Sequence, residues 1–411
     1  DPISQNHQNP SIAEMPRAAA AAAATSAVLD NDDLLGEILL RLAFPTSLVR
    51  AALVCKRLLR LASAPAFLRH FRHLHPPHLL GFYVTTRTNP PRFVPMPQPP
   101  ELASVIRRAS FDLDTTGRGS VCYCWNGLLL VTSEWRAIYT RRVLCPLYSA
   151  RYLATLPSLP ETDIHDGFTY SRCEILPNGR GGDGMPYFYF AIGWCNKEEQ
   201  SVLDVYVLQD DIWAIFASVI TEIPRIDLLL PNSLIVSDRI YNMACVGGSN
   251  RLVSLDLSSS CLSLVNLPEE VEFKRTELSL ENDYSEVHLN HVKGSQLRIW
   301  LHMVDNDDGL ANWLLVNTIC LHEICANYMI PTSVLEDVGD SKLLVYAAGV
   351  DSGLFFMEKD EVLYLFDIKH KTVKKVFEAT REDKHLDEVT PFMMVWPPKF
   401  PGMTDEGCDP I

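Results

Sequence analysis

The sequence predicts a mainly β protein with a small all-α module near its N-terminal end. Hydrophobic positions recur with helical spacing from Val28 to about His75, and short apolar runs fill the chain from Leu79 onward. Within the second region, a hairpin-like phrase recurs at nearly constant intervals. We therefore expect a three-helix module followed by a β-propeller-like domain, and 411 residues suffice for one small and one large domain.

The first part of the chain carries no pattern that could bury an apolar face. It is polar and then alanine-rich, with prolines at Pro2, Pro10 and Pro16. Residues 1–27 are therefore predicted to form a disordered tail, because they offer too little apolar surface to offset the entropy cost of ordering.

Residues 28–76 are predicted to form three short helices. Pro45 breaks the chain after the first helix, and the second is expected over Leu48–Val54. The third begins near Lys56, and Pro65 opens a last turn. Because so short a unit encloses little core, some of its apolar side chains should pack against a partner or a second domain.

From Leu79 the chain contains roughly sixteen short runs rich in branched and aromatic residues, which is typical of an all-β domain. A strand, turn and strand recur around Pro146, Asp256 and Asp367, at intervals of 110 and 111 residues. Since a propeller blade takes roughly 40 to 50 residues, each interval holds two or three blades and residues 79–400 hold roughly six to eight. A pair of β-sandwiches is the alternative.

We expect the β domain to close on itself. The run Pro391–Trp396 is predicted to complete a blade with a strand near Leu79–Thr86, which leaves no long exposed edges. The longest loops are expected at Pro90–Pro100, which is rich in proline, and at Pro177–Pro186, which is rich in glycine. Residues 401–411 are predicted to form a flexible C-terminus.

The charge balance and the cysteines exclude several classes of protein. Lys and Arg number 36 against 51 Asp and Glu, for a net charge of −15, so neither nucleic acid nor a membrane is an expected partner. The acidity lies beyond residue 80, where the net charge is −17 against +2 before it. Eleven cysteines without a CxxC pair indicate free thiols in a reducing compartment. We expect a cytoplasmic or nuclear protein.

We predict no metal site. Zinc sites as dense as the histidine group near the helices usually include cysteines, and none is near, so a solvated helix end is favoured. This group comprises His70, His73, His75 and His78. Cys122-x-Cys124 and Cys320-x4-Cys325 lie in segments that read as strands, where thiols at such spacing are usually part of the core.

We predict no catalytic residues and no cofactor. The segment GRGGDG (179–184) lacks the Lys-Ser/Thr pair that binds phosphate, and DNDDG (305–309) has the wrong spacing of acids for calcium. Both are expected to be loops or turns. No nucleophile elbow or paired-carboxylate pattern stands out in the rest of the chain.

The helical segment carries DDLL, EILLRL, a proline, SLVRAALVCKR and APAFLRHF between Val28 and His75. Together these motifs resemble an F-box, the short helical module that docks on the Skp-type adaptor of cullin ubiquitin ligases. The tracts HPPHLLGFYV, CWNGLLLV, LCPLYSARYLATLPSLP and LHEI resemble the F-box-associated propeller-like region of plant, especially grass, F-box proteins. Two positions depart from the family: Asp30 follows Leu29 where proline is usual, and Leu58 stands where tryptophan is common.

The resemblance implies a non-catalytic substrate-recognition subunit of an SCF-type (Skp-cullin-F-box) E3 ubiquitin ligase. Its partners would be a Skp-type adaptor, through it a cullin, and an unknown target protein bound by the β domain. Alternatives are an adaptor-bound scaffold without a role in degradation, and a propeller lectin or enzyme. Adaptor binding or the packing of the helices is expected of Leu34, Leu35, Ile38, Leu39, Leu42, Leu48, Val54 and Leu58.

Overall fold

The structure is a computed structural model. It describes residues 28–86, 89–113, 118–135, 138–147, 152–159, 168–177, 187–195, 197–229, 233–236, 238–269, 271–272, 275–281, 286–304, 311–335, 344–347, 353–383, 385–398 and 400. Two compact units are present: His78–Met394 form one, and the described residues up to Pro77 together with those from Val395 form the other. The described helices are all too short or too polar to cross a membrane.

In the described part of the smaller unit, residues 28–30 are helical and four helices follow them, joined by short turns. The last turn expected at Pro65 is in fact a helix of 10 residues, because Phe67, Leu68 and Phe71 continue the helical spacing. Pro45 begins the second helix rather than only ending the first, since proline is well accommodated at the first helical position. The helices are α1 (Asp32–Leu40), α2 (Pro45–Ala52), α3 (Lys56–Ala62) and α4 (Pro65–Leu74).

The larger unit is a β-propeller, as the spacing of the repeats predicted, and not a pair of sandwiches; it has six blades, the lower end of the expected range. Blade 1 contains β1 (Leu79–Thr86), β2 (Arg92–Pro95) and β24 (Leu386–Met393). Blade 2 contains β3 (Arg118–Trp125), β4 (Leu128–Trp135), β5 (Ile138–Leu144) and β6 (Tyr152–Leu156). Blade 3 contains β7 (Phe168–Pro177), β8 (Tyr187–Cys195), β9 (Gln200–Gln209) and β10 (Ile212–Thr221).

The other three blades follow in chain order. Blade 4 contains β11 (Ile226–Leu229), β12 (Leu234–Val236), β13 (Arg239–Val246), β14 (Ser249–Asp256) and β15 (Cys261–Asn266). Blade 5 contains β16 (Thr276–Glu281), β17 (Glu286–Lys293), β18 (Gln296–Val304) and β19 (Ala311–Cys320). Blade 6 contains β20 (Leu344–Ala347), β21 (Leu354–Lys359), β22 (Val362–Asp367) and β23 (Thr372–Glu378). The propeller unit also contains α5 (Pro100–Arg108), α6 (Leu321–Asn327) and a 3-10 helix (Thr332–Leu335).

The core of the propeller lies between neighbouring blades. Phe190 and Val205 of blade 3 pack with Val253 of blade 4, and Phe82 of blade 1 lies 4.9 Å from Phe356 of blade 6 between ring centroids. Middle strands such as β8 and β9 are therefore buried on both faces. This explains why they read in the sequence as continuous apolar runs instead of alternating ones.

The strand predicted to close the propeller does pair with β1. β24 runs antiparallel to β1, with Val84 opposite Val389 and Phe82 opposite Pro391. The closing strand ends at Met393, so the predicted strand range Pro391–Trp396 was too late in the chain. The first strand of the unit is thus joined to the last by hydrogen bonds, which removes an exposed edge.

Asp383 fixes the segment that leads into the closing strand. Its buried carboxylate accepts hydrogen bonds from the Asn89 side chain and the Arg92 guanidinium, each at 2.9 Å, and from the Thr380 N–H at 2.8 Å. The Thr380 N–H is the main reason that the pKa of Asp383 lies below its usual value. These bonds hold the β1–β2 connection against the segment before β24.

The proline-rich segment Pro90–Pro100 is not a long loop, contrary to the prediction. It forms β2 and then leads into α5, whose first residue is Pro100. Proline is tolerated here because β2 is an edge strand and the helix start needs no N–H donor. The pairing also requires Gly81, since a Cβ atom there would lie 2.3 Å from Phe93 Cζ and 2.6 Å from the Val94 carbonyl oxygen.

The repeated phrase of the sequence is the outer hairpin of every second blade. Its three copies join β5 to β6, β14 to β15, and β22 to β23, so each interval of the repeat spans two blades. The aspartates have a common role: Asp256 Oδ1 accepts from the Ser259 N–H at 2.9 Å, and Asp367 Oδ1 accepts from the His370 N–H at 2.9 Å. A carboxylate at this position holds the turn.

Two cysteine predictions have different outcomes. Cys122 and Cys124 lie on β3, as expected, but Cys122 is exposed and is therefore not part of the core. Cys325 lies on α6 and not on a strand, because Leu321, Ile324 and Cys325 form a buried helical face. Burial raises the pKa of the Cys325 thiol to about 11. The segments 179–184 and 305–309, which were predicted to be loops or turns, fall outside the described residues.

Candidate functional site

The start of α1 is fixed by its own side chains. Asn31 Oδ1 accepts hydrogen bonds from the backbone N–H groups of Asp33 at 2.9 Å and Leu34 at 3.1 Å. Asp32 and Asp33 lie in the first turn, where negative charge is stabilised by the helix dipole. Asn31 therefore provides a helix start although proline is missing after Leu29.

Arg57 ties α3 to the beginning of α1. Its Nε lies 2.5 Å from Asp32 Oδ1, and its terminal nitrogens donate to the carbonyl oxygens of Leu29 and Asp30. Arg60 adds a longer contact of 3.4 Å to Asp32. The position of Leu29 is thus set by a guanidinium group that the hydrophobic pattern of the sequence did not identify.

The core of the helical unit includes a residue from the far C-terminal part of the chain. Trp396 stacks on Phe71, with ring centroids 5.9 Å apart and an interplanar angle of 8°. Leu48, Ala52 and Phe71 are buried beside it, and Leu58 and Phe400 pack at the margin. The boundary expected at residue 400 therefore differs from the observed one, because the chain has joined the helical unit by Trp396.

The histidine cluster does not form a metal site among the described residues, where no group of three or more His, Cys, Asp or Glu could hold an ion. His75 Nε2 lies 2.7 Å from the Leu40 carbonyl oxygen, and the His75 ring lies 4.7 Å from that of Phe71. His70 and His73 are exposed on α4. His75 thus contributes to packing in the helical unit.

The eight residues predicted for adaptor binding or packing fall into three groups. Leu35, Leu39 and Leu48 are buried. Leu42 and Leu58 are partly buried against the same core. The others are exposed: Leu34 by 43%, Ile38 by 47% and Val54 by 76%.

Three further exposed apolar residues were not predicted, of which Leu74 lies at the end of α4 and the other two lie beside α1 and α2. Leu29 is 53% exposed and Leu53 is 58% exposed. The sequence pattern placed Leu53 within the second helix, expected over Leu48–Val54, but α2 ends at Ala52 and Leu53 lies in the turn before α3. We call Leu29, Leu34, Ile38, Leu53 and Val54 together the exposed apolar set.

The exposed apolar set comes from neighbouring parts of the helical unit. Leu34 and Ile38 are four residues apart and share one face of α1. Arg57, three residues after Val54, bonds to the Leu29 carbonyl and so links the start of α3 to the start of α1. This surface offers a partner apolar contact, and the exposed charged residues near its members in the sequence include Asp30, Asp33, Lys56 and Arg60.

Comparison with known proteins gives one family. Residues 120–400, more than half of the chain, match the family model described as F-box protein AT5G49610-like, beta-propeller. None of the curated proteins matches the chain.

Several solved structures resemble the chain at low identity. A putative TolB from Agrobacterium tumefaciens is 12% identical over 77% of this chain and 98% of its own, with a TM-score of 0.35. A point mutant of Synechocystis ACO is 11% identical over 76% of this chain and 67% of its own, with a TM-score of 0.34. An ACO/RPE65 chimera is 11% identical over 70% of this chain, with a TM-score of 0.34, and the match spans only 64% of the chimera.

Proposed function

Because the chain belongs to the F-box protein AT5G49610-like β-propeller family, we propose that it is the substrate-recognition subunit of an SCF-type E3 ubiquitin ligase. The helical unit binds a Skp-type adaptor and through it a cullin, and the propeller binds a target protein. The chain has no catalytic activity of its own, since the other subunits carry out ubiquitin transfer. It works in the cytoplasm or nucleus, which agrees with the free thiols of its described cysteines.

The observation that carries the proposal is the exposed apolar set. The helical unit already has a filled core, with Leu48 and Phe71 at 0% exposure, so these outward side chains are not needed for its own packing. Burying a Leu, Ile or Val side chain contributes roughly 1.5–3 kcal/mol. A partner with an apolar groove would gain this free energy from several residues at once.

The test is the Ile38→Asp variant, assayed for copurification with a Skp-type adaptor. Ile38 is half-exposed, so the change should leave the helices folded. In the complex it would bury a carboxylate without a partner, which costs several kcal/mol. We expect adaptor recovery to be lost while circular dichroism remains that of the parent.

Leu74→Asp is the matched control. Leu74 is 49% exposed on α4 of the same unit and is not part of the exposed apolar set. This variant should recover the adaptor normally. Normal recovery by Ile38→Asp, or equal loss by both variants, would contradict the assignment of the adaptor surface.

Ubiquitin transfer distinguishes the ligase role from an adaptor-bound scaffold. Reconstitution with adaptor, cullin, RING subunit and conjugating enzyme should promote transfer to a protein captured through residues 78–394. Capture without transfer would favour the scaffold, and turnover of a small substrate by the purified chain would favour an enzyme.

A further inference from the structure

Each blade of the propeller ends in an outer strand, and most of these edges carry features that prevent pairing. β2 is four residues long and ends at Pro95, and β23 presents Lys374 and Lys375 to solvent. β6 and β15 are short, with five and six residues. Short strands, prolines and lysines are the usual means of blocking edge-to-edge association.

The outer strand of blade 3 lacks all of these features. β10 (IWAIFASVIT) has 10 residues without a charged residue or a proline. Four of its large apolar side chains are exposed: Ile212 by 69%, Ile215 by 52%, Phe216 by 48% and Ile220 by 50%. A register shift between Ile215 and Ala217 accompanies the exposure of two consecutive apolar residues.

The chemistry of a strand edge determines what can bind there. One side of β10 pairs with β9, and no other strand in the described part of the chain pairs with it. The open side offers a row of backbone groups that match only another extended backbone. β19 of blade 5 has the same length and exposed leucines, but residues 305–310 before it lie outside the described chain.

Charges at the two ends of β10 select among possible partners. Asp210 and Asp211 are exposed before the strand, and Glu222 is exposed after it. Glu198 and Glu199 also lie near the Glu222 end of the strand. This end therefore has three acids and two cations, Lys197 and Arg225.

This pattern disfavours a second copy of the chain. Antiparallel pairing of two β10 strands would place Asp210 and Asp211 of one copy beside Glu222 of the other. A strand with basic residues at both ends would instead have complementary charge.

We propose that the open edge of β10 binds an extended apolar segment, flanked by basic residues, of the target protein. The segment adds a fifth strand to blade 3, with its backbone hydrogen-bonded to β10 and its side chains against Ile215, Phe216 and Ile220. This inference rests on the proposed function, for which it names the chemistry of the target.

The experiment measures the binding of labelled peptides to the purified full chain by fluorescence anisotropy. The probe alternates valine and threonine between paired lysines, and two further probes replace the lysines by glutamates or carry N-methylated backbone amides. The test variant is Phe216→Lys with Ile220→Lys, and the control is Leu153→Lys. Leu153 lies on the short edge strand β6 and is 45% exposed, so it receives the same charge at a similar exposure.

We expect the lysine-flanked peptide to bind and the N-methylated peptide to fail, because methylation removes strand hydrogen bonds. The double variant and the glutamate flanks should each weaken binding by about tenfold or more, as loss of central interface contacts commonly does. Leu153→Lys should bind like the parent. Amide hydrogen exchange should slow within residues 212–221 when the peptide is bound.

Equal binding by the double variant, protection on another strand, or absence of peptide binding would overturn the inference. A dimer of the free chain that the double variant converts to monomer would also overturn it, in favour of an interface between copies. The adaptor assay with Ile38→Asp is separate, so failure here and failure of the proposed function give different results.

Discussion

Glu358 on β21 is a carboxyl group whose ionisation is opposed by its surroundings. Burial, with the negative charges of Glu361 and Asp387, raises its pKa to about 7, although the Tyr346 hydroxyl donates a hydrogen bond to it at 3.0 Å. In an unfolded chain the pKa returns to near 4.5. Between these values the folded chain holds a proton that the unfolded chain has lost, so stability falls as pH rises through this window.

Glu358→Gln should remove this pH dependence, because glutamine still accepts from Tyr346 but never ionises. From about pH 5 to about pH 8, the free energy of unfolding of the parent should fall by roughly 1–3 kcal/mol relative to the variant. Denaturant unfolding of both proteins at about pH 5 and about pH 8 measures this difference in the free energy of unfolding. If the free energy of unfolding changes equally with pH in both proteins, Glu358 ionises freely in the folded chain.

Single residues show what the hydrophobic pattern can and cannot predict. The helical spacing identified both Leu39, which is buried, and Ile38, which is half-exposed. α1 is apolar over a wide arc, so the pattern alone does not tell which side faces the core. Arg57 was not predicted at all, since its role depends on carbonyl oxygens that α1 brings close to it.

At the level of elements, the helical unit depends on a segment distant in sequence. Trp396 is 7% exposed and stacks on Phe71 of α4. Leu58 packs at the margin of this core, and an indole reaches the same core from the C-terminal segment. No local pattern predicts this, because the two aromatic residues are separated by the whole propeller.

Trp396→Ala should therefore loosen the helices and leave the blades intact. Removing a buried tryptophan costs about 3–5 kcal/mol, which is large for a unit of this size. We expect faster amide hydrogen exchange in α1 to α4 and parent-like exchange in β13 and β14. Trp396→Phe keeps an aromatic ring and should show a smaller effect; unchanged exchange in the Ala variant would mean that the stacking adds little to helix stability.

Elements with strong periodicity were predicted better than those whose structure depends on pairing. β1 was predicted as a strand because LLGFYVTT is a continuous run of strand formers. β2 was predicted as a loop because proline flanks it, and only its pairing with β1 makes it a strand. The close approach of Phe93 to Gly81 that this pairing requires is a tertiary contact without a local signal.

At the level of the whole molecule, the propeller is closed by β24. Its Phe392 is fully buried and meets the rings of Tyr83, Phe93 and Phe111. The repeat interval in the sequence predicted a propeller, because each repeated hairpin is formed by residues that are close together in the chain. The number of blades could not be predicted in the same way, because the strands between the repeats share no motif.

Two truncations should separate closure from the role of Trp396. Deleting residues 390–411 removes half of β24 and exposes the edge of β1, so we expect insoluble or protease-sensitive protein. Deleting residues 395–411 leaves β24 whole and should keep the propeller resistant to protease while the helices are cleaved. Equal stability of the first truncation and the parent would contradict closure by β24.

The placement of Trp396 and β24 also sets an order of events during translation. Phe71 leaves the ribosome early, and residues 72–395 must be made before its stacking partner is available. Until then the helical unit lacks part of its core, and β1 lacks its closing strand. A chain that stops before its last blade is complete would thus present a helical unit without the aromatic partner of Phe71.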